Sequence, residues 1–331
     1  MPPSRDGRYF SPARSMPSQN RVPQVSPAAG RRGDRPGIEA GASGEPPRVP
    51  QVSPLRPGIE SSPLRIASLQ PSITLTLQRL GRLDDLVACT RYCVEALPEL
   101  AHRNLKIIAD SWSSTMEELL AVEPNLVIAS VPYRLESLAA ILRAGCPVLT
   151  LAPHTLADIF ADIRLIGSVV HASDRAEGLV AELAFSIEAV RLQSAKAARH
   201  PRVYCEEWGK PLIHSQLWVK ELVEAAGGEF IGDPGKTTTA EAVSASDPDV
   251  LIFAWCGAGD RVPLARVVEQ RGWHSLRAVT NGRVYCIPDE FLNTPAHPIV
   301  EGLTCLAAAI HPNLFPAHPR LISLQHSQKQ P

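Results

Sequence analysis

Glu117-Glu-Leu-Leu-Ala-Val-Glu-Pro-Asn-Leu-Val-Ile-Ala129 is matched without a gap by Glu241-Ala-Val-Ser-Ala-Ser-Asp-Pro-Asp-Val-Leu-Ile-Phe253, a constant 124 positions downstream. In both copies the proline stands seven residues after the first glutamate. Proline cannot continue a helix, so each copy reads as a short helix, a proline-led turn and a buried strand. The same unit at matching places in two halves predicts two lobes of one design.

The flanking sequence extends the pattern in both directions. Apolar runs at Arg65–Ser68, Asp85–Thr90, Leu126–Ser130 and Pro147–Leu151 read as strands, with helices predicted at Pro71–Leu80, Met116–Val122 and Leu135–Arg143. A second set has strands at Arg202–Glu206, Val250–Ala254 and Arg283–Ile287. Its helices fall near Leu217–Ala226, Ala240–Ala245, Pro263–Gln270 and Pro298–Ile310. Such alternation predicts an α/β protein with two Rossmann-like lobes, each on a parallel sheet. The lobes are expected at 64–154 and 200–316, with a helical bridge at 155–199.

In the bridge, Leu156, Ile159, Phe160, Ile163 and Ile166 recur at helical spacing, as do Leu179, Leu183, Ile187 and Val190. Thr155 with Asp158 and Asp174 with Glu177 read as capping boxes. One long helical segment, broken near His171–Asp174, is expected, and so stiff a tie permits only small lobe motions.

The ends differ. Residues 1–63 hold 13 of the 31 prolines and 7 of the 21 glycines. Arg21–Pro27 recurs at Arg48–Pro54, and Arg35–Glu39 at Arg56–Glu60. This composition cannot offset its own ordering entropy, so a disordered, protease-sensitive tail is expected there. Residues 317–331 read as a second tail, and Arg32-Gly-Asp34 as a chance triplet. No apolar signal-peptide core precedes Leu64, so the sequence as given is expected to stay in the cytoplasm. The seven cysteines, odd in number and mostly in apolar runs, read as reduced core residues.

Charge excludes some classes of function. The 33 Lys+Arg balance 34 Asp+Glu, which argues against general nucleic-acid binding. No run of about 18 apolar residues predicts a membrane span. Asp233-Pro-Gly-Lys-Thr237 ends like a phosphate loop, but Phe230 stands where its first glycine belongs. No GxSxG, HExxH or strand-following GxGxxG occurs. The ten histidines show no metal-ligand spacing, and His214 alone lies near several aromatics. No catalytic residue and no metal site is assigned.

Aromatic residues are 5% of the chain, and most follow expected strands. Tyr92, Tyr133, Trp208 and Trp255 lie just past strand ends, the edge where parallel α/β sheets bind ligands, and Trp112 sits in a loop after Ile107–Ala109. Broad aromatic faces with few charges suit a large, flat, partly apolar ligand. Ser114 with Glu117 and Thr238 with Glu241 fit S/T-x-x-E capping boxes. The two glutamates also form a symmetric pair of anionic knobs suited to arginine pockets on a two-fold partner.

Taken in order, Arg65-Ile-Ala-Ser-Leu-Gln-Pro-Ser72, Thr90-Arg-Tyr-Cys93, Ser111-Trp112, Glu117…Ala129, Glu207-Trp-Gly-Lys-Pro-Leu212, Leu217-Trp…Gly228 and Asn281-Gly-Arg-Val-Tyr285 resemble the cobalamin/iron-chelate substrate-binding proteins of ABC importers. The resemblance covers about Leu64 to Pro316 and is nearest the cobalamin branch, although Leu217 stands where many relatives have histidine. It implies two lobes on a backbone helix with ligand between them. It implies a ligand set at Tyr92, Trp112, Trp208, Trp218 and Phe291, and permease-docking glutamates at Glu117 and Glu241. Family members are usually exported, so it also implies a periplasmic or other extracytoplasmic location.

An Asp-x-His-x-x-Gly motif, carried by enzymes that replace the lower base of cobalamin with histidine, is absent. Any cobalamin is therefore expected as non-covalent cargo. The leading expectation is a monomeric, non-enzymatic corrinoid-binding protein. The alternatives are a haem or iron–siderophore binder, and an enzyme acting on a tetrapyrrole or metal chelate.

Overall fold

The structure is a computed structural model and describes residues 63–143 and 145–324. The expected tail at 1–63 falls almost wholly outside the described residues.

The first lobe is built from β1 (Ile66–Ser68), α1 (Pro71–Arg79), β2 (Leu86–Thr90), α2 (Arg91–Ala96), β3 (Lys106–Ile108), α3 (Met116–Leu120), β4 (Leu126–Ser130), α4 (Leu135–Leu142) and β5 (Val148–Leu151). Its strands pair in the order β3-β2-β1-β4-β5, all parallel. All five residues of β4 are buried, because helices cover both faces of a doubly wound sheet.

The bridge is α5 (Leu156–Val169) and α6 (Ser173–Ser194). Thr155 caps α5 as expected: its Oγ1 accepts from the Asp158 N–H at 3.0 Å, and Asp158 accepts from the Thr155 N–H at 2.9 Å. The expected Asp174 cap does not form. α6 starts two residues earlier, at Ser173 after Ala172, and Asp174 lies in its first turn. The bridge breaks at His171, within the stretch where a break was expected. His171 takes φ 56°, and Arg164 reaches Glu177 at 2.9 Å. Thirteen residues of straight helix would hold those two roughly 20 Å apart, so α6 folds back along α5. The tie between the lobes is α6, 22 residues and about 33 Å long.

The second lobe comprises β6 (Arg202–Gly209), β7 (Leu212–His214), α7 (Leu217–Ala225), β8 (Glu229–Phe230), β9 (Thr237–Thr238), α8 (Ala240–Ser246), β10 (Val250–Phe253), α9 (Leu264–Arg271), α10 (Arg277–Thr280), β11 (Val284–Cys286), α11 (Asp289–Leu292), α12 (Ile299–Ile310) and β12 (Ile322–Ser323). Its sheet runs β12-β11-β10-β6-β7-β9, with β8 also on β6. It is mixed, not wholly parallel as expected. β6, β8, β10 and β11 are parallel, while β7, β9 and β12 run antiparallel to their neighbours. The reversal at Gly209 brings the chain under the Trp255 ring, where an added Cβ would lie 2.6 Å from a ring carbon. β12 also corrects the expected boundary at 317. Ile322 and Ser323 pair with Cys286 and Tyr285, so the chain stays in the sheet past the supposed end of the lobe.

One buried cluster runs through both lobes and the bridge, from Ile66, Ile73 and Leu77 through Ile163 and Leu183 to Leu222 and Ile299. Shared packing of this kind opposes large hinge motions. Glu221 of α7 adds a polar tie, accepting from the Leu156 N–H at the start of α5 at 2.6 Å. Five of the seven cysteines are buried, and Cys256 is exposed.

Candidate ligand cleft and docking faces

In the first lobe three loops leave the carboxyl ends of neighbouring strands. After β2, Thr90 caps α2 by accepting from the Cys93 N–H at 3.2 Å. That cap turns Arg91 and Tyr92 outward, with Tyr92 37% exposed. Arg91 donates to the Tyr92 hydroxyl at 2.6 Å, and its guanidinium lies 4.6 Å from the ring centroid. After β3, Asp110 accepts from the N–H groups of Trp112 and Ser113 at 3.2 and 3.0 Å, forming an Asx turn. Ser137 of α4 holds the same loop from the other side, donating to the Trp112 carbonyl at 2.6 Å. The indole is left 42% exposed, with Arg134 5.8 Å from it. An exposed indole on a loop pinned from both sides is a preorganised stacking surface. After β4, Tyr133 turns inward instead. Its hydroxyl donates to the Leu151 carbonyl at 3.0 Å, and burial pushes its pKa up to about 12.

The second lobe offers Trp208 at the end of β6, 41% exposed, its indole N–H on the Lys210 carbonyl at 2.8 Å. Beneath it lies a polar knot that sequence reading missed. Glu206 is fully buried in β6 and takes a two-pronged ion pair from Arg271 at 2.8 and 2.9 Å. Glu206 also accepts from the Tyr204 hydroxyl, and from the Trp255 indole at 2.8 Å. The Arg271 guanidinium lies 4.8 Å from the Trp273 ring and 5.8 Å from Phe253. The one available signal was a glutamate inside an apolar strand.

Two residues of the expected ligand set are placed otherwise. Trp218 is 5% exposed, packed in the core of α7, with its indole N–H on the Leu292 carbonyl at 2.8 Å. It holds α11 to α7 and presents no stacking face. Phe291 is half-buried, its ring taken up by the edge of His318 at 6.4 Å and the Arg320 guanidinium at 5.3 Å. Of the expected set, Tyr92 and Trp112 on one lobe and Trp208 on the other are exposed.

Glu207 is the titratable group of this lip. Burial pushes its carboxyl up to about 7, partly offset by the Gln216 amide donating at 2.6 Å. The folded chain thus holds that proton more tightly than the unfolded chain, whose glutamate titrates near 4.3. This contribution to stability is complete below pH about 4 and is lost as pH rises through about 7. Glu207→Gln stays neutral at all pH values. It is expected to match the wild type near pH 4 and to exceed it by roughly 1–3 kcal/mol at pH 8, read from urea midpoints.

Glu117 and Glu241, the glutamates expected to dock a partner, sit one residue out of the expected capping register. α3 is capped by Thr115, whose Oγ1 accepts from the Glu118 N–H at 3.3 Å, and Glu118 closes the box. α8 is capped by Thr239, which accepts from the Ala242 N–H at 3.2 Å. Ser114 and Thr238 therefore cap nothing here, and Glu117 and Glu241 both occupy the second helical position, exposed. The Glu241 carboxyl is held below its usual range by its own N–H and the Thr239 hydroxyl.

Chemically, the best nucleophile–base chain is Cys305–His318–Glu301, with contacts of 3.2 and 3.1 Å. Cys305 is fully buried, and burial pushes its thiol up to about 12, the opposite of an activated cysteine. No group of three or more His, Cys, Asp or Glu that could hold a metal occurs among the described residues. No helix there is long and apolar enough to cross a membrane.

A family model described as periplasmic binding protein matches residues 66–291. A cobalamin-binding protein of Halobacterium salinarum is 25% identical over 276 residues, covering 80% of this chain and 74% of the relative. A periplasmic heme-binding protein from Pseudomonas aeruginosa superposes with a TM-score of 0.70 at 21% identity, over 79% of this chain and 98% of that one. The periplasmic vitamin B12-binding protein of Vibrio cholerae gives 0.62 at 22% identity, over 81% and 99%.

Proposed function

We infer that this chain, which belongs to the periplasmic binding protein family, holds cobalamin or a related corrinoid as non-enzymatic cargo in the cleft between its lobes. The observation that carries the reading is the exposed pair Tyr92, in the first turn of α2, and Trp112, on a pinned loop, at adjacent strand ends, with Trp208 on the other lobe. These are broad, exposed aromatic faces, as a corrinoid ring requires. The sequence likeness to cobalamin-binding relatives supports the same ligand class. The family's members are substrate-binding proteins, and the buried, unactivated Cys305 supports a binding role without turnover here.

One observation favours a second ligand. Arg91 donates to the Tyr92 oxygen, and Arg134 stands over Trp112. Two guanidinia at the lip suit the carboxylates of a haem, and a tyrosine oxygen beside an arginine suits an iron bond.

Absorption spectra of the purified protein with hydroxocobalamin, haemin and a ferric siderophore separate these readings. Corrinoid binding without turnover is expected. Trp112→Ala should weaken it by about 1–3 kcal/mol, roughly 5- to 150-fold, while Tyr92→Phe changes it little. A haem band that Tyr92→Phe abolishes, with no corrinoid bound, would replace cobalamin by haem.

Location follows from the partner. An ABC permease is the partner that the docking glutamates fit. The cytoplasm and the extracytoplasmic space differ in whether such a permease is there to be docked.

A further inference from the structure

The second lobe carries a cavity of about 400 Å³ between the end of α6, the start of β6 and the end of α12. Pro201 precedes β6 and Arg283 precedes β11, so the cavity lies at the amino ends of two parallel strands. The aromatic lip lies at the carboxyl ends. This is a separate place on the molecule.

Its accessible apolar wall is Ala197, Pro312 and Leu314, and its cations are Lys196, Arg199 and Arg283, with His311 beside them. No carboxylate lines it among the described residues. Arg283 donates to the Ala309 and Ile310 carbonyls at 2.8 and 2.7 Å, closing the end of α12, while its Nε is buried without a partner. The carboxylate nearest in influence is Asp249, already held by Arg277 at 3.1 Å and by the Arg202 N–H at 2.9 Å. Lys196 has only the Gln193 amide oxygen, at 2.6 Å. Arg199 has neither an ion pair nor a hydrogen bond among the described residues.

The ends of two helices account for part of this charge. Each helix terminus carries about −0.5, so α6 and α12 together offset about one of the three cations. A surplus near +2 is left without a counter-charge. Burial, with Arg199 also contributing, holds Arg283 below the usual arginine range, so the cations repel one another as they stand.

We propose that this cavity is a second ligand site, taking an organic phosphate monoester whose dianionic head meets Lys196 and Arg199 and whose carbon body lies on Ala197, Pro312 and Leu314. A dianion matches the surplus charge, and the apolar wall favours an ester over inorganic phosphate. The same chemistry is offered by a soluble phosphate ester and by a phosphatidic acid headgroup.

The test is calorimetric titration of the full chain with phenyl phosphate, with phenol as the neutral control. Vesicles of phosphatidylcholine with and without phosphatidic acid form the second arm. Phenyl phosphate is expected to bind and phenol not. The double variant Lys196→Ala/Arg199→Ala, both exposed positions, should lose roughly 10- to 100-fold in affinity. Its circular dichroism and its corrinoid spectrum should stay as in the wild type, so that failure here is distinct from failure of the cleft assignment. Binding confined to phosphatidic acid vesicles would assign the site to a lipid headgroup; binding in solution would assign it to a free ester. Arg283→Met is not the test, because it also uncaps α12. No binding in either arm, or equal binding by the double variant, overturns the proposal.

Discussion

Arg271→Met is expected to destabilise the protein by about 3–5 kcal/mol, because it leaves Glu206 charged and fully buried with no cation. The Tyr204 hydroxyl and the Trp255 indole would still donate to Glu206, but neither carries charge. The guanidinium is also a packing element among Trp273, Phe253 and Trp255, so its removal loosens three rings at once. The comparison that isolates the charge is Glu206→Gln combined with Arg271→Met. With no charge left to bury, the double variant should recover a large part of the loss, since an isolated buried charge costs more than an absent pair. Urea unfolding of the four proteins measures the coupling. A single Arg271→Met variant within 1 kcal/mol of the wild type would mean that water reaches Glu206 and that the knot is not dry.

The knot also shows where sequence reading ends. Glu206 and Arg271 are 65 residues apart, and no local pattern joins a glutamate in a strand to an arginine at a helix end. The helix–proline–strand unit was legible because its periodicities are local. β4 and β10 fall where the repeat puts them, and the limits of the other expected elements move by a residue or two, except that β6 runs three residues past Glu206 to Gly209. Short elements were not legible. β7 has three residues and β12 two, too few for an alternation to register, so the mixed character of the second sheet was missed.

Trp218 shows a different failure. It shares a helical stripe with Val219, Leu222 and Val223, all buried, and that periodicity already marks a core position. Family likeness placed it in the ligand set against that local signal. The caps failed by one residue for a chemical reason. Ser114-Thr115 and Thr238-Thr239 each offer two adjacent hydroxyls, and sequence alone does not say which takes the extended backbone of an N-cap.

That one-residue correction sharpens the test of docking. As capping residues, Glu117 and Glu241 would already have a use. Thr115, Glu118 and Thr239 do that work, so both glutamates stand on exposed first turns with their charge facing solvent. Glu117→Gln with Glu241→Gln removes two charges from helix starts. Each interaction with a helix dipole is worth about 0.3–1 kcal/mol, so folding should suffer little. Corrinoid affinity should not change, since neither residue belongs to the aromatic lip. Against a permease with arginine pockets the same change deletes two charge-assisted contacts of about 1.5–3 kcal/mol each. Docking should then fall roughly 100- to 10,000-fold. The measurement is binding of wild-type and double-variant protein to a cobalamin permease in detergent, at fixed salt. Tight wild-type docking that the variant abolishes would make this a working importer component and overturn the cytoplasmic expectation. Equal binding, or none by either protein, would leave the knobs as a feature of the helix starts alone and the chain as a holder of cargo without a gate.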